Sequence, residues 1–147
     1  MNYIIAFLIW TLILYWLHRA IHITPVLKKY HDTHHAYINR IIKNGGTTTW
    51  HWSNLFLFND NIPSTIDLWI TEVIPTILFS AITGQWWLFL FYYIWAAFIQ
   101  ESIEHNPKIN LTFLLSGHRH LNHHKNPKQN FGLFFPVWDR LFGTYIR

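Results

Sequence analysis

The chain has 147 residues, 51% of them hydrophobic, 19% aromatic and only 12% charged, which points to a single membrane-embedded domain over residues 1–147. There is no cysteine, so disulfides, thiolate metal sites and cysteine nucleophiles are excluded. The net charge of +4 does not imply nucleic acid, because the basic residues are scattered between hydrophobic spans, where they face anionic lipid or solvent.

Residues 3–17 are an almost unbroken apolar run, interrupted by Thr11. A helix here crosses a bilayer if it continues through about residue 22. A cleaved signal peptide fits poorly, since no positive segment precedes the run and no small-residue cleavage site comes after it. Pro25 marks the end. Residues 26–63 are polar and mixed, with Gly45-Gly46 and Thr47-Thr48-Thr49 predicting a loop. Pro63-Ser64-Thr65 reads as a helix start. Residues 66–82 are then apolar apart from Asp67, Glu72 and three threonine or serine positions, with Pro75 as a kink. Thr83-Gly84-Gln85 predicts a tight turn, and residues 86–99 a second apolar run. Its aromatics, Trp86, Trp87, Phe89, Phe91, Tyr92, Tyr93 and Trp95, read as lipid-facing or interfacial. The two runs form a helical hairpin dipping into or through the membrane. Residues 111–115 are apolar but too short to span. The expected fold is an all-α integral membrane protein, with three long hydrophobic helices and a cytoplasmic histidine-rich metal-binding cap.

Charge placement selects an orientation. If helix 1 enters the cytoplasm near His18 and the hairpin leaves and returns, every lysine and arginine lies on the cytoplasmic side, and the turn at 83–85 has none. The same topology gathers the histidines. His18 and His22 are spaced i, i+4. His31, His34 and His35 form H-x-x-H-H, His105 ends the hairpin, and His120, His123 and His124 repeat H-x-x-H-H. Residues at i, i+3 and i+4 share a helical face, so their imidazoles can converge on a metal about 2 Å from each nitrogen. Nine histidines exceed one metal's needs and fit two. His51, in Trp50-His51-Trp52, and His118 fall off the pattern and are read as interfacial or as supporting the ligands from outside.

Histidine ligation favours Fe, Zn or Cu. A hydrolytic zinc site normally adds a carboxylate base, as in H-E-x-x-H, and that motif is absent. Two redox-active irons at a bilayer edge suit activation of O2 and attack on a lipid C–H bond, with zinc as a substitute metal.

These residues resemble the fatty acid hydroxylase/sterol desaturase superfamily of membrane di-iron enzymes. His18-Arg19-Ala20-Ile21-His22, His31-Asp32-Thr33-His34-His35 and His120-Leu121-Asn122-His123-His124 match its histidine boxes. Asn130-Phe131-Gly132 and the stretch from Trp138-Asp139-Arg140 to Gly143-Thr144-Tyr145 are similar to its C-terminal ending. The resemblance implies two iron ions, O2, electrons from a cytochrome or ferredoxin-type donor, and hydroxylation or desaturation of a lipid. A non-catalytic metal-binding relative is the alternative from another class. The family's further box is usually a histidine pair four or five residues apart, and here Gln100 and Glu101 stand where the partner of His105 would be. Glu101, four residues before His105 on the same helical face, is the expected carboxylate ligand, with pairing to Arg119 or Arg140 as its alternative. Glu104 is expected to point elsewhere, toward a ligand histidine. Asp139 and Arg140 are expected to pair as a clamp.

Overall fold

Asn2 opens the first helix by accepting a hydrogen bond from the Ile4 N–H. Helix α1 (Tyr3–Ile21) has 19 residues, a length of about 28 Å at the α-helical rise. It buries Ala6, Trp10, Leu14, Tyr15, His18 and Ile21 on one side. Ile5, Leu8, Ile9, Ile13 and Trp16 lie exposed on the other. An apolar face with no protein over it is what a lipid-facing helix presents. The computed structural model describes residues 2–59, 61–111 and 113–146, and no strand occurs among them.

Helix α2 (Pro25–Lys43) starts with proline, where the missing N–H has no helical partner to lose. Its inward stripe is His31, His35 and Ile38, and its outer face carries the Lys28–Asp32 ion pair. An otherwise polar helix thus uses imidazoles where a soluble helix would use leucines. The loop after it straps across the stretch 97–101: Thr48 donates to the Glu101 carbonyl at 2.5 Å, and the Trp50 indole to the Ala97 carbonyl at 2.7 Å.

Helix α3 (Ile62–Thr83) widens into a π-turn at Trp69–Val73, just before Pro75. Pro75 has no N–H for the Thr71 carbonyl, and the widened turn absorbs that missing bond. Gly84 ends α3 in the left-handed conformation (φ 69°), with the Gln85 N–H bonded to the Ser80 carbonyl. Helix α4 (86–103) returns as Trp86–Ile94, a second π-turn at Trp95–Gln100 and a last turn at Glu101–Ile103. Two short helices come next, α5 (His118–Lys125) and α6 (Val137–Leu141).

The core lies between α1, α3, α4 and the segment before α6. Trp10, Leu14, Leu68, Val73, Leu88, Tyr92 and Phe134 pack together there. The buried Trp10 indole donates to Thr76 at 3.0 Å, which ties α1 to α3. Two helices among the described residues, α1 and α3, are long and apolar enough to cross a bilayer, rather than the three expected. The returning arm differs because its tryptophans and tyrosines favour the interface, and Gln100 and Glu101 close it with polar groups.

Candidate metal centre

The fold brings nine histidines into two adjacent groups. His18, His22, His31, His35 and His123 each offer one ring nitrogen, all within 4.8 Å of one another. His34, His105, His120 and His124 do the same. His35 of the first group stacks on His124 of the second, with ring centroids 4.1 Å apart. The end of α1, the inner stripe of α2, the end of α4 and α5 all contribute.

Outer partners fix which nitrogen faces inward. His18 Nδ1 lies 2.8 Å from the Phe131 carbonyl, and His123 Nδ1 lies 2.6 Å from the Gln129 carbonyl. His31 Nδ1 lies 2.8 Å from an Asp67 carboxylate oxygen. Each of these oxygens is an acceptor, so each Nδ1 carries the proton and each Nε2 is a bare lone pair. Those Nε2 atoms point at one place. His18 Nε2 is 3.2 Å from His31 Nε2, which is 3.1 Å from His22 Nε2, and His22 Nε2 is 3.2 Å from His123 Nε2. Lone pairs converging in this way repel unless a cation lies between them. Two ligands at right angles, each about 2.1 Å from a metal, would be about 3.0 Å apart. The residues therefore fit a bound divalent ion.

In the second group His120 Nε2 and His124 Nε2 are 2.9 Å apart. Both ring nitrogens of the buried His105 have no hydrogen-bond partner among the described residues. Burial and neighbouring imidazoles push protonation of His105, His120, His123 and His124 well below the ordinary histidine range. The rings are thus neutral lone-pair donors, the form that binds metal.

Several expected site residues lie apart or take another role. Glu101 joins neither group. Glu104 instead reaches the cluster, its carboxylate 3.5 Å from His120 Nδ1, the direction expected for it. His51 caps the short turn Trp52–Phe56, accepting from the Ser53 N–H, and His118 is exposed at the start of α5. The Asp139–Arg140 pair is not formed. Asp139 accepts from the Phe131 and Gly132 N–H groups and the Thr144 hydroxyl at 2.7–2.8 Å, while the Arg140 guanidinium lies 4.9 Å over the Tyr145 ring. Backbone N–H groups near 131 simply occupy the carboxylate first.

A small cavity of about 30 Å³ touches both groups through His18, His31, His34 and His120. Asp67, Glu72, Gln100 and Glu104 also line it, with Leu68 and Leu133 as apolar wall. Thr71 and Glu72 come from one π-turn and Gln100 from the other, and π-turns recur at functional sites. In the sequence, the signal for Asp67 and Glu72 is their setting. A carboxylate inside an apolar span is costly and marks a functional position.

A family model described as fatty acid hydroxylase matches residues 3–144. The chain is 28% identical to lathosterol oxidase of Homo sapiens over 143 residues, which cover 97% of this chain and 44% of that protein. It is 31% identical to a probable Delta(7)-sterol 5(6)-desaturase of Neurospora crassa over 134 residues, covering 90% of this chain and 34% of that protein. It thus spans less than half the length of these curated relatives. No solved structure matches significantly. The match from α1 to the segment after α6 takes in every histidine of both groups, and the chain belongs to the fatty acid hydroxylase/sterol desaturase superfamily.

Proposed function

We propose that this chain is a membrane di-iron oxygenase that uses O2 to hydroxylate a lipid. The carrying observation is the convergence of Nε2 lone pairs, with the Nδ1 atoms of His18, His31 and His123 all held by acceptors. His18, His22, His31, His35 and His123 hold one ion, and His34, His105, His120 and His124 the other. Bound iron supplies O2 activation; the protein holds the rings neutral, walls the chamber and aims one carbon of the substrate. Electrons come from a separate cytochrome or ferredoxin-type donor. Zinc can occupy such rings but brings no redox chemistry.

Desaturation is the second reading, supported by relatives named as sterol oxidase and sterol desaturases. Mass spectrometry of lipids from cells with and without the protein separates the two. Hydroxylation adds one oxygen, and desaturation removes two hydrogens. Purified protein is expected to carry two irons per chain. Protein with no iron, or iron-loaded protein with no O2-dependent product, would mark a non-catalytic metal-binding relative.

The metal groups lie on the cytoplasmic side in this reading, supported by the one-sided placement of lysine and arginine. Cysteines placed at Gly84 and Lys128 should then label from opposite sides of the membrane. Labelling of both from the same side refutes this orientation.

A further inference from the structure

Beyond Leu133 the protein holds a second recess, of a different character from the metal chamber. It measures about 280 Å³ and lies between α1 and the segment leading into α6. Phe7, Leu8 and Thr11 form one side, and Phe134, Val137 and Trp138 the other. Its two polar side chains satisfy each other: the Trp138 indole donates to Thr11 Oγ1 at 3.1 Å, while the Thr11 hydroxyl donates to helix carbonyls. A recess walled by hydrocarbon and offering no free polar partner does not retain water. The metal chamber is the reverse, since Ser64 Oγ, Asp67 Oδ1 and Glu72 Oε2 are buried there with no hydrogen-bond partner among the described residues.

Leu133 lines both spaces. It is 8% exposed and belongs to the core, as does Phe134 beside it. The outer rim is open, with Leu8, Phe135 and Val137 all exposed. Thr11 lies seven residues before His18 on α1, about 10 Å deeper along the helix axis. An extended apolar chain in the recess therefore has its body at mid-membrane depth and its inner end at Leu133, against the chamber.

We propose that this recess binds the hydrocarbon part of a membrane lipid that is the substrate, and that Leu133 sets which carbon reaches the metal chamber. This rests on the lipid-oxidising reading above. Lipid enters sideways from the bilayer past Leu8 and Val137, so no polar headgroup need cross the core.

Photolabelling of the iron-loaded full chain in phosphatidylcholine vesicles tests the site without relying on turnover. The probes are a diazirine-bearing palmitate and a diazirine-bearing cholesterol, which distinguish an acyl chain from a sterol. One of them should label the peptides holding Phe7–Thr11 and Phe134–Trp138, and excess of the same unlabelled lipid should suppress it. Filling the recess with Thr11→Trp should cut that labelling by about tenfold, the factor expected for an overpacking penalty of this kind. Iron per chain should not change. Leu133→Ala should shift the position of the oxidised carbon, and Leu133→Trp should abolish product with iron retained. Labelling spread equally over other lipid-facing positions such as Leu78 and Leu90, with no competition, would mean boundary lipid only and overturn the site. If the unaltered chain forms product and the Leu133 variants form the same product at the same rate, the inference falls and the proposed function stands. If no product forms but competed labelling persists, the site stands and the proposed function falls.

Discussion

Alanine at His123 should remove one iron per chain, and alanine at His124 should remove the other. The two residues are adjacent in α5, yet their rings are nearly perpendicular and serve different groups. His123 is fully buried, with ring contacts to His18, His22 and His35. His124 meets His34, His105 and His120. Under the proposed two-iron function, removing either imidazole deletes a ligand and leaves the remaining lone pairs less completely satisfied. Outer partners of metal ligands already cost about 10–100-fold in affinity or activity when lost. Losing a ligand should exceed that, so each variant should drop product formation by more than about a hundredfold. Iron should fall to about one per chain in each single variant, as expected for two separate ligand sets of four or five, and to none in the double variant. His118→Ala is the control, because His118 is exposed and outside both groups. Two irons retained in His123→Ala would dissolve the division into two centres.

Much of this arrangement is readable in the chain because its signals are periodic. The i, i+3, i+4 spacing of His31, His34 and His35 places three imidazoles along one side of α2, and the same spacing in α5 faces them. Where spacing gives out, the sequence is harder to read. Glu101 shares a helical face with His105 in an ideal α-helix, but this stretch comes directly after the π-turn Trp95–Gln100. The helix then ends at Ile103, so His105 lies beyond the last helical turn and the ideal i, i+4 face does not carry to it; Gln100 and Glu104 line the chamber instead. Asp67 pairs with His31 across 36 positions of sequence. No local pattern encodes that contact, although a carboxylate in an apolar span hints at a partner. The carbonyls of Gln129 and Phe131 are invisible in principle, since every residue carries one. An apolar count overstates the number of spanning helices because it treats tryptophan and tyrosine as hydrocarbon, whereas both prefer the interface.

Asp139→Asn should weaken iron binding even though Asp139 touches no histidine. Its side chain is fully buried. One carboxylate oxygen accepts from the Phe131 N–H and the Thr144 hydroxyl, both at 2.7 Å, and the other from the Gly132 N–H at 2.8 Å. The clamp fixes the segment whose Phe131 carbonyl holds His18 Nδ1 and whose Gln129 carbonyl holds His123 Nδ1. Gly132 is required here by space, because a Cβ would run into a Leu115 methyl and come within 2.8 Å of the Asp139 carboxylate. Asparagine keeps the size but exchanges one acceptor for an NH2 group, and both acceptor positions already face donors. A donor-on-donor contact in a buried clamp costs about 1–3 kcal/mol. Alanine should cost about 3–5 kcal/mol, since it leaves two buried backbone N–H groups unpaired and takes the Asp139 acceptor from the Thr144 hydroxyl, which keeps only Tyr15 as partner. Thr144→Val loses one of the three bonds and should cost about 1 kcal/mol. Arg140→Ala should leave the clamp intact, as its guanidinium lies over Tyr145. If the clamp acts through His18 and His123, iron affinity at that group should fall by about 10–100-fold in Asp139→Asn, the range for lost outer partners. Iron affinity at the proposed second site, His34, His105, His120 and His124, should be affected less. Competition with a chelator reads the two affinities, and a thermal melt of the same samples reports folding. A folded Asp139→Asn protein that gives up both irons as the unaltered chain does would show that the clamp holds the chain end and not the metal ligands.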